Sequence, residues 1–80
     1  MQIPVVRGLS QTYTLDQLRL AESCLLEDQP LSINVAGEDE GEQLTHILGA
    51  IWILEQMEQG IAFNEALRAF TLRVRSSIQP

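Results

Sequence analysis

Eighty residues carrying a net charge of −6, with five arginines and no lysine, suffice for one domain and no more. That balance opposes nucleic acid or an anionic membrane as partner, since both need clustered positive charge to displace counterions. Cys24 is the one cysteine, so no disulfide can staple the chain; with no signal segment and no apolar run of ~20 residues, the expectation is a cytoplasmic protein without a membrane span.

At the start of the chain Ile3, Val6, Leu9 and Tyr13 recur every three to four residues, and Pro4 suits the first turn of a short helix. An extended reading of Ile3 to Val6 competes with it. Gly8 weakens the helix, and Ser10, Thr12 and Thr14 keep it from running on unbroken. Thr14 and Gln17 then have the spacing of a capping box, and Leu15, Leu18, Ala21, Cys24 and Leu25 supply the apolar stripe of a second helix. Leu20 and Leu26 broaden that stripe, Asp16, Arg19, Glu22 and Glu27 mark the wet face, and Pro30 is the expected stop.

Residues 31–36 alternate Leu31, Ile33 and Val35 with smaller side chains, the period of a half-buried extended segment. A single strand cannot satisfy its own backbone, so the segment must either lie in a groove as an ordered linker, the preferred reading, or pair with a second copy.

Glu38, Asp39, Glu40 and Glu42 place negative charge at the start of a third helix, where the helix dipole makes each favourable charge worth roughly 0.3–1 kcal/mol. Beyond them Leu44, Ile47, Leu48, Ile51 and Leu54 form one apolar stripe and Ala50, Ile53 and Met57 another, with Trp52 at the edge and only Thr45, Gly49 and Gln56 as a polar sector. Such a helix has to be buried on several sides. Gly60 stands at a C-terminal cap position, and Gly60-Ile61-Ala62 turns the chain into a fourth, antiparallel helix over residues 63–77, striped by Phe63, Ala66, Leu67, Phe70 and Val74. Counting back from the turn sets Leu48 level with Val74 and brings the acidic start of the third helix towards the arginines of the fourth.

These elements predict an all-α single domain over residues 1–80, of three to four helices with a long central one and residues 31–36 extended. The apolar circumference of the central helix predicts a homodimer, with Leu44, Ile47, Leu48, Ile51, Trp52, Ile53 and Met57 at the interface. Trp52 is expected to serve packing rather than a ligand.

The start IPVVRGL, the central GEDEGEQLTHILGAIWI and the ending EALRAFTLRVRSSI together resemble a family of short bacterial proteins of unknown function, about the length of this chain. The likeness rests most on GEDEGEQLTH at residues 37–46 and FTLRVRSSI at residues 70–78. It implies a free-standing, predominantly helical bacterial protein and carries no catalytic residues with it.

Chemistry is thinly represented. Glu42 and His46 lie one helical turn apart, with Glu38 or Asp39 a turn further back, and imidazole with carboxylate can hold zinc, iron or manganese. The carboxylate-bridged di-iron pattern, however, wants a glutamate where this chain has Gln43. A surface Glu–His pair at i,i+4 is the plainer explanation. His46 could also act as a general base, but no nucleophile, phosphate loop or metalloprotease motif frames it. Cys24 sits among apolar neighbours, as a buried cysteine commonly does. Arg68, Arg73 and Arg75, at intervals of five and two, spread around the last helix. No cofactor and no catalytic residue are expected. The expected function is a noncatalytic protein-binding or regulatory module with an unidentified protein partner. The rivals are a small metal- or ligand-binding protein using Glu42 and His46, and an acidic, antitoxin-like inhibitor of a basic protein.

Overall fold

A computed structural model describes residues 1–78 of the chain, so residues 79–80 of the expected 1–80 domain lie outside the described residues. Four helices run in the order α1 (Ile3–Thr12), α2 (Leu15–Leu26), α3 (Glu40–Glu58) and α4 (Phe63–Ile78), with no strand among the described residues. The helical reading of residues 3–12 therefore prevails over the extended one. Pro4 sits in the first turn of α1, where a missing N–H costs nothing, and the helix turns Val6 and Leu9 inward.

Local chemistry accounts for the ends of the other helices. Thr14 Oγ1 accepts from the Gln17 N–H at 3.2 Å while Gln17 Oε1 accepts from the Thr14 N–H at 2.8 Å, the reciprocal pair expected of a capping box. The far end of α2 corrects the expectation that Pro30 stops it. Asp28 takes a left-handed conformation (φ 54°), and the Gln29 N–H reaches back to the Cys24 carbonyl at 2.8 Å, so a Schellman turn closes the helix at Leu26 before the proline acts. Gly60 (φ 94°) closes α3 in the same way, with the Ile61 N–H on the Gln56 carbonyl at 3.2 Å. At the other end of α3, Asp39 Oδ1 accepts from the Glu42 N–H at 2.8 Å and Glu42 Oε1 accepts from the Glu38 N–H at 3.0 Å. The acidic run is thus a helix start built from its own side chains.

The hub of the fold is α3, against which α1, α2 and α4 all pack. Val6 from α1, Leu18 and Ala21 from α2, Ile47, Ala50 and Ile53 from α3, and Ala66 from α4 lose all or nearly all their contact with water. Removing a Val, Leu or Ile side chain from water in this way is worth about 1.5–3 kcal/mol each. Gly49, expected on a polar sector, is buried. A Cβ there would stand 2.6 Å from Phe70 Cζ and 3.2 Å from Val6 Cγ1, so its missing side chain is what lets α4 and α1 approach α3. Leu20 and Leu26, expected to widen the buried stripe of α2, are instead 55% and 67% exposed.

Residues 31–36 form the ordered linker. Val35 is buried and Leu31 and Ile33 half-buried, while Ser32, Asn34 and Ala36 face outward, as the alternation predicted. Gly37 lets the linker pass the start of α3, since a Cβ there would lie 2.9 Å from the Gln43 backbone nitrogen.

Candidate functional site

Glu42 and His46 do lie one turn apart on α3, but the structure gives His46 a different setting from the surface pair expected. Its side chain is fully buried. Nε2 accepts from the Gln2 N–H at 2.9 Å, and Nδ1, carrying the proton of that tautomer, donates to the Ala36 carbonyl at 2.8 Å. One imidazole therefore ties the entry to α1 and the end of the linker to α3, and a metal ion on either nitrogen would have to displace a backbone hydrogen bond. Gln43, one turn before Ile47, extends the arrangement by donating from Nε2 to the Val35 carbonyl at 3.0 Å. Asn34 is held from the other side, its N–H on Tyr13 Oη at 3.3 Å. Among the described residues, no group of three or more His, Cys, Asp or Glu is arranged to hold a metal ion. Cys24 is half-buried.

Glu42 does not meet the arginines of α4. Its Oε2 lies 3.7 Å from the Met1 amino group, and the only other ion pair among the described residues joins Arg19 to Glu55 at 3.0 Å. The expected meeting of acidic start and basic end is accordingly corrected: the register holds, with Leu48 and Val74 lining one groove, yet no carboxylate lies within ion-pairing reach of Arg68, Arg73 or Arg75 among the described residues.

The proposed interface residues divide between the inside and the outside of the chain. Ile47, Ile51 and Ile53 are buried against α1, α2 or α4 and are unavailable to a partner, because the short helices and the linker cover far more of α3 than its apolar circumference suggested. Leu44 and Trp52 are half-buried, and Leu48 and Met57 remain exposed.

What stays open is α4. It packs on α3 and has an open space on either flank. The first, of about 290 Å3, runs between α3 and α4 past Leu48, Trp52, Phe70 and Arg73. Its floor is the Trp52–Phe70 pair, with ring centroids 6.1 Å apart, and the Arg73 guanidinium lies 5.3 Å from the indole centroid. That is cation–π distance, worth about 0.5–1 kcal/mol at an exposed position. The second, of about 450 Å3, is an open stretch of α4's own outer face, which carries Asn64, Leu67, Arg68, Thr71, Leu72 and Arg75. Arg68 and Arg75 are seven residues apart and so share one face, while Arg73 lies in the groove between α3 and α4, so the three arginines divide between two faces and make no single stripe. Leu72 stands beside them, 55% exposed.

An all-α domain organised on one central helix, with one helix left open on both flanks, is the class these features define. Residues 1–79 match a family of unknown function, DUF6952, and the chain belongs to that family. No curated protein and no solved structure matches it. No helix is long and apolar enough to cross a membrane among the described residues.

Proposed function

We propose that the chain is a noncatalytic protein-binding or regulatory module of the cytoplasm, and that α4 is its docking surface. One observation carries this reading. α4, which like α1 and α2 packs chiefly on α3, holds three of the five arginines, none ion-paired among the described residues, beside a half-exposed tryptophan and an exposed leucine. Arginine and tryptophan are enriched at interface centres because each offers a large flat contact together with hydrogen-bond donors. The cytoplasmic part of the proposal rests on the single thiol, which suits a reducing compartment.

The reading is tested by capturing partners of the tagged chain, a second copy included, and repeating the capture with Arg68→Ala/Arg73→Ala/Arg75→Ala and with Arg7→Ala as a control on α1. Partner retained by the control and lost by the triple variant supports α4. Equal retention by a triple variant that keeps its helical circular dichroism sinks it.

A further inference from the structure

The charge of the chain is divided between its helices. Three arginines against one glutamate give α4 a net charge of +2, and taking that from the overall −6 leaves −8 on the remainder. Three of those carboxylates, Asp16, Glu27 and Asp28, stand near the exposed leucines of α2. Asp16, Leu20, Ser23 and Glu27 follow at spacings of four, three and four, so one outward stripe sets a leucine between two carboxylates. Leu26 stands next to its end, and Asp28 adds a further negative charge. The only base on α2, Arg19, is engaged with Glu55 of α3. The outer faces of α2 and α4 therefore share a design with opposite sign: apolar side chains half or more exposed, edged by carboxylates on one and by guanidinium groups on the other.

We propose that a second copy of this chain covers both faces, α4 of one protomer lying on α2 of its partner. Arg68 and Arg75 face the carboxylates of Asp16 and Glu27, and Leu72 is covered together with Leu20 and Leu26. A two-fold axis makes the contact twice. Like-signed pairings of α4 on α4 or α2 on α2 are disfavoured by their charges, which fixes the orientation. An unrelated acidic protein would use only α4 and leave the leucines of α2 in water; the chain itself supplies a cover for each. The inference rests on α4 as docking surface and names its occupant, replacing the α3 face expected from sequence with α2 and α4.

The test is a charge exchange read by sedimentation equilibrium. The wild-type chain should be a dimer in the micromolar to submillimolar range, with a dissociation constant that rises with added salt. Arg68→Glu/Arg75→Glu makes both faces acidic, and Asp16→Arg/Glu27→Arg makes both basic, so each variant alone should dimerise more weakly by at least about tenfold. All four positions are exposed, and circular dichroism checks that each variant keeps its helices. An equimolar mixture should recover the dimer, because each acidic face then meets a basic one in both contacts. A wild-type chain that stays monomeric overturns the inference, as does a variant that dimerises undiminished or a mixture that stays monomeric. If the chain is monomeric and the alanine variant of α4 still loses another captured protein, α4 remains a docking surface and only its occupant was misassigned.

Discussion

The start of α3 and the exposed flank of α4 use their polar side chains in opposite ways. Around the first two turns of α3, Asp39, Glu42, Gln43 and His46 all bind backbone groups, and no buried side-chain polar atom among the described residues lacks a partner. On α4, Arg68 and Arg75 bind no carboxylate of the chain among the described residues and stand on the open outer face of the helix. The difference follows from what each region must bury. A helix satisfies its own amides, whereas the linker and the entry to α1 bring unpaired carbonyl and N–H groups against the core, and side chains of α3 must meet them. Polar side chains are left over only where the backbone is already satisfied.

Loss of His46 should expose this difference most sharply. His46→Ala leaves the Gln2 N–H and the Ala36 carbonyl without partners and opens a cavity, at a cost of about 3–5 kcal/mol. A domain of this size has roughly 4–12 kcal/mol in all, so a thermal melt should show a steep fall in Tm or no cooperative transition. An unchanged melt would mean that the imidazole is not a structural tie. Next in size is Gly49→Ala, whose new methyl group must displace Phe70 or Val6 and should cost about 1–3 kcal/mol. Because Phe70 packs on Trp52, the tryptophan emission should shift as well, and Phe70→Leu in the same chain should recover part of the loss. Asp39→Ala removes the cap of α3 and should cost about 1 kcal/mol in denaturant unfolding. Arg68→Ala/Arg75→Ala should change the unfolding free energy of the monomer by less than about 0.5 kcal/mol, as befits exposed and unpaired groups. A large effect there would make α4 part of the fold's own support and blur the contrast between the two regions.

Much of this fold was legible in the sequence because local rules decide it. The Thr14–Gln17 box, the acidic start of α3, Gly60 and the stripe from Phe63 to Val74 are all short-range signals, and the structure keeps them. The alternation of residues 31–36 likewise carried over, since a linker pressed against a core buries every second side chain. Less was legible where two distant segments meet. His46 looks like a solvent-facing partner of Glu42 until Gln2 and Ala36 are brought to it, and nothing within one turn announces either. Gly49 was assigned by its lack of an apolar side chain, when an isolated glycine inside an apolar helix signals close approach. The apolar circumference of α3 pointed to an interface on that helix because the covering power of α1, α2 and the linker depends on their arrangement, which periodicity does not contain. Leu20 and Leu26 were misplaced for the related reason that two leucines on α2 outrun the width of the contact with α3.

Amide hydrogen exchange, followed at low and at high protein concentration, probes the division between the two regions directly. Residues 35–50 should be protected equally at both concentrations, because His46, Gln43 and the core hold them within one chain. Residues 16–27 and 64–75 should gain protection as concentration rises, the result that the proposed covering of α2 by α4 across protomers requires. Protection that rises at residues 44–57 instead, or at no residue, would contradict the covering of α2 by α4 of a second copy.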